Sequence, residues 1–333
     1  PIIPVAYAVV DGTPHNTRLQ KRGEPTDLGD EVPRKFLDVL GGQKLESPNV
    51  SGRLELAQWL TSSTNPLTPR VMVNRIWQWH FGRGIVTTPN DFGTRGSPPT
   101  HPELLDHLAA EFVKSGWSLK GMHRLIVMSA TYQQATANSD GGRHYEAFPR
   151  RRLTAEELRD TLLMASGEID LTPGEGHPFP PESSWSFTQH NPFAAEYETT
   201  KRSVYVMQKR NRRSRFFALF DGADPNASTP VRDVTTVPTQ ALFFLNDPVL
   251  HARAAKFAER ISAAANSNRE RTNAAYRILF GRQATEGEWG DSEAFLKEYE
   301  ANLTEGDAEQ KRSESWKAYS RVLLGSNEVL YVD

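Results

Sequence analysis

The order of apolar and polar residues along the chain is mostly that of amphipathic helices. Between residues 51 and 135 apolar residues recur every three or four positions, with breaks at 61–66, at 98–99 and at Gly116, which predicts four helices. The second helix, which begins near Pro69, has no polar face, so we expect it to be buried on all sides. Its apolar residues are Val71, Met72, Val73, Ile76, Trp77, Trp79 and Phe81.

Polar residues on and after this second helix need partners, because an unpaired buried amide or charge costs roughly 2 kcal/mol or more. We expect the loop that follows to be tied to the helix, with Arg75 pairing with Asp91 or Glu103. Thr100 and Glu103 also have the spacing of a capping box at the start of the third helix. The polar candidates of the helix and loop are Asn74, Arg75, His80, Arg83, Asn90, Asp91, His101 and Glu103.

The second half of the chain is also mainly helical in its pattern. Thr154 with Glu157, and Thr285 with Glu288, have capping-box spacing and predict helix starts, and a last helix carries Trp316. Alternation over residues 202–208 predicts a strand. The segment between, residues 167–200, is rich in proline, glycine and aromatic residues, and loops of this length in compact domains are usually functional or mobile.

These elements predict a mainly α fold, a compact multi-helix domain with a few short strands and long loops. Residues 1–50 are expected to form a loop-rich strap with a hairpin, in which Val5–Val10 pairs with Thr17–Lys21 across an Asp11-Gly12 turn. The predicted organisation continues with a helical core subdomain at 51–135, a linker at 136–150, and a second helical part at 151–333 that contains the 167–200 loop.

Composition excludes several classes of protein. The 333-residue chain has no cysteine, so it holds no disulfide, thiolate metal site or covalently attached haem. Its formal net charge of −2 argues against a nucleic-acid partner. No apolar run is long enough to span a membrane, and the first residues lack the basic start of a signal peptide. A chain that begins with Pro1 is expected to be a processed product or a piece.

Two groups of residues are candidates for chemistry. A histidine beside a carboxylate serves as a general acid or base, so Asp91 or Glu103 with His101 or His80 is a candidate catalytic set. Asn74, Arg75, Arg83 and Asn90 could hold its ligand. The same residues are also explained by caps and buried pairing. No spacing among these residues is typical of a metal site, so we predict no metal site here.

The second group is a basic run after the predicted strand. The pattern favours a solvated basic edge. The alternative is binding of an anionic polymer, because arginine forks suit sulfate, phosphate and carboxylate groups. Oxygen ligands at Asp221, Asp224 and Asn226 leave calcium as a candidate cofactor, although the spacing departs from the twelve-residue calcium loop. The basic run comprises Lys209, Arg210, Arg212, Arg213 and Arg215.

The segment from Asn65 to Asp106 resembles the core motif of the domain-of-unknown-function family 1553, and the resemblance runs through nearly the whole chain. The family implies a module of large, exported, planctomycete-type proteins that is often joined to cytochrome-like domains. The implied location is periplasmic or extracellular, and the implied partners are upstream domains of the same polypeptide or a companion subunit, with a role in polysaccharide use. The resemblance implies no particular reaction.

Three functions follow from these observations. The first is a helical scaffold or interaction module of a larger exported protein, because caps and buried pairing account for most of the polar motif. The second is a glycan-acting hydrolase that uses Asp91 or Glu103 with His101 or His80. The third is anionic-polymer binding through Lys209–Arg215. No cofactor other than the calcium candidate is predicted.

Overall fold

The computed structural model describes residues 9–45, 47, 49–136, 144–174, 183, 197–210 and 213–332. In these residues helices predominate and the strands form two-stranded antiparallel sheets, so the predicted mainly α fold is confirmed. The chain divides into two compact units, unit 1 (Pro1–Gln133) and unit 2 (Gln134–Asp333).

Unit 1 consists of a hairpin followed by helices that meet around α2. Its elements are β1 (Thr17–Gln20), β2 (Leu28–Val32), α1 (Arg53–Leu60), α2 (Leu67–Phe81), α3 (Pro102–Lys114) and α4 (Leu119–Val127). Helices α3 and α4 both pack against α2 and against each other. The buried residues of α3 are Leu105, Leu108, Ala109 and Phe112, which are the residues that the helical spacing predicts.

The hairpin pairs different segments from those predicted. Thr17 of β1 lies opposite Val32 of β2, and the chain reverses through Arg22 and Gly23, whose φ angles of 54° and 78° are left-handed. Of the predicted partner strand, Val9 and Val10 carry no strand, and residues 5–8 lie outside the described residues. Asp11 does not form the predicted turn, because its carboxylate pairs with Arg53 at the start of α1.

Helix α2 is buried on one side only, so the expectation of burial all round is wrong. Val73, Ile76, Trp77 and Phe81 are at most 4 % exposed, whereas Trp79 is 59 % exposed. Trp77 and Phe81 stack with their ring centroids 4.3 Å apart. Apolar residues around the whole circumference therefore give this helix a core face and an apolar outer face.

Asn74 fastens the loop after α2 to the helix. Its side chain is fully buried, its Nδ2 donates to the carbonyl of Val86 at 3.0 Å, and its Oδ1 accepts from the amide of Val86 at 2.8 Å. A Cβ on Gly84 would lie 2.7 Å from Asn74 Nδ2 and 2.6 Å from the Val86 carbonyl oxygen. The pairing therefore requires glycine at position 84.

The start of α3 differs from the predicted capping box. The residue before the helix is His101, whose side chain makes no cap, and Pro102 occupies the first turn. Thr100 instead donates its amide to the carbonyl of Ile85 at 2.9 Å and its hydroxyl to the same oxygen at 3.3 Å. Because Thr100 is used to close the loop, Glu103 has no cap to complete, and its side chain is exposed.

Unit 2 is built around α8, whose inner face is buried between α5 and α11. Its elements are β3 (Arg151–Arg152), α5 (Ala155–Ser166), α6 (Arg215–Leu219), α7 (Pro238–Asn246), α8 (Pro248–Ala264), α9 (Asn268–Phe280), α10 (Glu286–Asn302), α11 (Ala308–Leu324), α12 (Asn327–Leu330) and β4 (Tyr331–Val332). Leu250, Ala254, Phe257 and Ile261 of α8 are fully buried. The predicted capping boxes at Thr154–Glu157 and Thr285–Glu288 are confirmed.

The predicted strand at 202–208 is wrong, because this segment is held by side chains rather than by a sheet. Residues Ser203–Tyr205 form a turn of 3-10 helix. The amide of Ser203 donates to Asp160 Oδ1 at 2.8 Å, and its hydroxyl donates to the same oxygen at 2.7 Å. An amide bound to a helix side chain cannot donate to a neighbouring strand.

Arg282 joins the end of unit 2 to α10. Its guanidinium contacts Glu288 at 2.7 Å and Glu328 at 2.7 Å, and it lies over the rings of Tyr276 and Phe280. The hydrogen bond from Arg282 lowers the pKa of Glu288 from 4.5 to about 2. The charged form of this carboxylate is therefore favoured in the folded protein.

Replacement of Asn74 by alanine should destabilise unit 1, since it leaves a buried amide and a buried carbonyl of Val86 without partners. We expect a loss of about 2–4 kcal/mol in the free energy of unfolding, measured by urea denaturation. Thr87→Ala, at an exposed position of the same loop, is the matched control and should cost under about 1 kcal/mol. Equal losses in the two variants would contradict the role of Asn74.

Glu288→Gln should make unit 2 less stable in a pH-dependent manner. A carboxylate whose folded pKa is depressed stabilises the fold above its unfolded pKa, and that contribution disappears as the pH falls through the folded value. We expect a loss of about 1–2 kcal/mol at pH 7 that shrinks towards zero near pH 2, after allowance for solvent screening. Glutamine still caps α10, so a pH-independent loss would contradict the ionic contribution.

Candidate functional site

The polar residues after α2 mostly serve the loop itself. Arg75 donates from Nη2 to Asn90 Oδ1 at 2.6 Å, and it forms no pair with Asp91 or Glu103 within the described residues, so the predicted ion pair is wrong. An amide oxygen at Asn90 takes the place of the expected carboxylate. Arg83 is half-buried and follows the glycine that ends α2.

Asp91 organises its own turn. Its Oδ1 accepts from the amide of Gly93 at 2.9 Å, and its carbonyl oxygen accepts from the hydroxyl of Thr88 at 2.8 Å. A Cβ on Gly96 would lie 2.0 Å from that carbonyl oxygen, so only glycine fits there. The carboxylate therefore has a local structural use.

The histidines of this region pair with other groups. His80 and His123 of α4 share a hydrogen bond of 2.8 Å between Nε2 and Nδ1, and the ring of Tyr132 lies edge-on to His80. His101 Nδ1 lies 3.0 Å from the hydroxyl of Thr100. Neither Asp91 nor Glu103 bonds to a histidine within the described part of the chain. The candidate catalytic set is thus not joined into one hydrogen-bonded constellation.

The basic run is divided between structural contacts and a cavity. Arg213 donates to the carbonyl of Gly222, and the carbonyl of Arg210 accepts from Asn226 Nδ2 at 2.6 Å, while the side chain of Arg210 is exposed. Arg212 lies outside the described residues. Lys209 and Arg215 line the cavity.

This cavity lies in unit 2. Its volume is about 460 Å³, in the range of sites that hold small organic molecules. It lies between α5, residues 197–209, α6 and the junction of α7 with α8. The residues around it are Arg159, Leu162, Leu163, Tyr197, Glu198, Thr199, Val206, Met207, Lys209, Ser214, Arg215, Phe216, Phe217, Leu219, Phe243, Asp247, Pro248, Val249 and Arg253.

One wall of the cavity is fixed by an arginine of α5. Arg159 donates from Nη1 to the carbonyl of Lys201 at 2.9 Å and to the hydroxyl of Ser203 at 3.2 Å, and from Nη2 to the carbonyl of Thr199. Asp160 lies 3.6 Å from the Arg159 guanidinium and accepts the Ser203 bonds described above. Consecutive residues of α5 thus hold the segment that leads to Val206 and Met207.

Two arginines of the cavity lining have carboxylates beside them. Arg253 of α8 pairs with Glu168 at 2.6 Å, and Asp160 lies beside Arg159. The pKa of Arg159 lies below its ordinary value, first because burial removes water and also because Arg253 repels it, although Asp160 opposes the shift. Both cations are therefore already partly neutralised by the protein.

The acidic residues of the lining are Asp247 and Glu198. The carboxylate of Asp247 accepts from the amide of Val249 at 2.9 Å and caps α8. Glu198 is exposed. By contrast, Arg215 is exposed at the start of α6 and has no hydrogen-bond or ion-pair partner in the part of the chain that the structure describes.

The candidate calcium ligands are engaged by the backbone. Asp221 accepts from the amide of Thr235 at 2.8 Å and from its hydroxyl at 2.9 Å, and Asp224 accepts from the amide of Asn226 at 2.9 Å. Across the described ranges, no cluster of three or more histidine or acidic residues has the arrangement of a metal site.

Sequence reasoning missed most of the cavity. Arg159 and Arg253 lie on helices whose neighbouring residues, such as Leu158 and Ala254, are buried, and a charge beside a buried stripe is the signal that could have found them. The phenylalanines Phe216, Phe217 and Phe243 carry no such signal, because apolar residues in short helices are ordinary core residues.

Comparison with known proteins places the chain in a family. The model of the family described as "PSD1: Protein of unknown function (DUF1553)" matches residues 52–296, which is most of the chain. No curated protein and no solved structure matches it. Among the described residues, no helix has the length and apolar character needed to cross a membrane. The chain therefore belongs to the DUF1553 family.

Proposed function

We propose that unit 2 is a binding module that holds an anionic ligand in the cavity beside α6. The observation that carries this proposal is Arg215, an arginine without a partner in the described residues, on the lining of a cavity that also contains Lys209, Arg159 and Arg253. Guanidinium groups bind carboxylate, sulfate and phosphate through parallel hydrogen bonds.

Other functions have less support from the contacts. A hydrolase that uses Asp91 or Glu103 with His101 or His80 needs these groups to converge on one substrate. The hydrogen bonds that join Asp91, His101 and His80 to other described residues lie within separate local structures. An anionic polymer along Lys209–Arg215 would need an open basic edge, yet Arg213 is bound to Gly222. These alternatives make different predictions for the same experiment.

Arg215→Ala should weaken the binding of benzoate, because the variant removes the cation that has no other partner. We expect roughly a tenfold loss of affinity in NMR titrations of the intact chain, with perturbed amides around α6. Arg210→Ala is the matched control, since Arg210 is exposed in the same basic run and does not line the cavity. It should change the affinity less than twofold.

Two results would contradict this proposal. Benzylamine binding as tightly as benzoate would show that the cavity does not select anions. Equal losses from Arg210→Ala and Arg215→Ala, together with tight binding of dextran sulfate that falls steeply with salt, would instead favour the polymer alternative.

A second candidate function, a scaffold that docks against other domains, is supported by apolar surface in unit 1. Leu54, Leu56 and Leu60 of α1 are exposed, and so are Trp79 of α2 and Leu125 of α4. Exposed apolar patches often mark interaction sites. Because of the family resemblance, we extend this proposal to docking against partner domains of a larger exported protein in the periplasm or at the cell surface. Polysaccharide is a candidate substrate of that larger protein.

The scaffold proposal predicts that the isolated chain self-associates through these residues. Leu54→Glu with Leu56→Glu should lower the association measured by sedimentation velocity at tens of micromolar protein, and should leave the unfolding midpoint unchanged because both side chains are exposed. A chain that stays monomeric at every concentration would count against the scaffold.

A further inference from the structure

We propose that the ligand of the unit 2 cavity is an amphipathic organic acid, with a carboxylate head at Arg215 and a hydrocarbon body of several carbons in the interior. This inference rests on the proposed anion-binding function and names the chemical class that the site would take. It follows from how the charged and apolar residues are distributed over the lining.

The interior walls of the cavity are apolar and aromatic. Phe216 meets Phe217 and Phe243 edge to face, with ring centroids 5.9 Å and 5.5 Å apart. Phe217 and Phe243 are buried, and Leu162 and Leu163 of α5 are buried as well. A small hydrated anion would leave this apolar lining in contact with water, whereas a hydrocarbon body would cover it.

Among the described lining residues, Arg215 is a cation without a partner, and it lies on the same stretch of chain as this apolar wall. Arg215 directly precedes Phe216 and Phe217 on α6, and Lys209 follows Met207 closely. The guanidinium of Arg159 is committed to the 199–203 segment, and that of Arg253 to Glu168. The head group is therefore assigned to Arg215, and the body to the phenylalanine wall.

The acidic lining residues do not favour a cationic head. Asp247 already accepts a hydrogen bond at the N-terminus of α8, where a helix dipole favours its negative charge. Glu198 is exposed at the edge of the lining. An amine would have to compete with these arrangements and would also face the repulsion of the cationic lining residues.

The test is a chain-length series of carboxylates on the full chain, namely acetate, butyrate, hexanoate and octanoate, measured by NMR titration or calorimetry. Each methylene that enters the cavity should raise the affinity by roughly fourfold, until the cavity is filled. Octan-1-ol and octylamine, which have the same body with another head, should bind at least tenfold more weakly than octanoate.

Met207→Ser tests the apolar wall, and Val204→Ser is its matched control. Met207 lines the cavity, whereas Val204, in the same segment, is 71 % exposed and does not line it. Met207→Ser should flatten the increase of affinity with chain length, and Val204→Ser should leave that increase unchanged. If Met207→Ser lowers the unfolding midpoint, Val249→Ser on the opposite wall serves in its place.

The outcomes separate this inference from the proposal on which it rests. Equal affinity for acetate and octanoate would overturn the amphipathic ligand and leave the anion site standing. Octan-1-ol or octylamine binding as well as octanoate would overturn both, and so would the absence of binding by every carboxylate tested.

Discussion

The cavity of unit 2 depends on a half-buried ionic clamp between α5 and the segment 199–203, formed by Arg159 and Asp160. Arg159 and Asp160 are consecutive on the helix, and together they satisfy carbonyls, an amide and a hydroxyl of that segment. Asp170 also holds this stretch, because its amide donates to the carbonyl of Thr200 at 2.9 Å and its carboxylate pairs with Lys201. Without the clamp, the carbonyls of Thr199 and Lys201 and the amide of Ser203 would need water as their partner. The position of Val206, Met207 and Lys209, and hence one wall of the cavity, follows from it.

Both units use buried polar side chains in place of regular secondary structure. In unit 1 the amide of Asn74 pairs with both polar groups of Val86, as a strand neighbour would. Burying such a polar side chain without a partner costs free energy, whereas a buried side chain with all its hydrogen bonds made stabilises the fold. Whether a polar side chain has a partner also distinguishes structural residues from candidate binding residues. Arg215 carries a full charge on a cavity lining and has no partner in the described residues.

The sequence predicted what depends on local spacing. The helices of both units, the capping boxes at Thr154 and Thr285, and the buried stripe of α3 all follow from residues within a few positions of one another. What depends on distant partners was predicted wrongly. Alternation around Val204 is typical of a strand, but Asp160, forty-three residues earlier, takes the amide of Ser203. Thr100 has the spacing of a cap, but the carbonyl of Ile85 takes its hydroxyl.

The candidate site could be predicted only in part, because local patterns do not indicate contacts between distant residues. The basic run was visible as a cluster of charge, and Lys209 and Arg215 do line the cavity. Its other walls come from α5, α7 and α8, which only tertiary packing brings together, so no local pattern indicates them. A motif dense in polar residues, such as 74–103, attracts attention for the same reason that it is structurally necessary, because a loop without secondary structure needs many side-chain partners.

Hydrogen exchange at the amide of Ser203 tests the clamp most directly, since this amide donates to Asp160 Oδ1. In the wild-type chain we expect it to be protected. In Asp160→Ala the exchange of Ser203 and its neighbours should become much faster and octanoate affinity should fall, while the amides of α8 keep their protection. Unchanged exchange at Ser203 in that variant would contradict the account, because the wall of the cavity would then be held by something else.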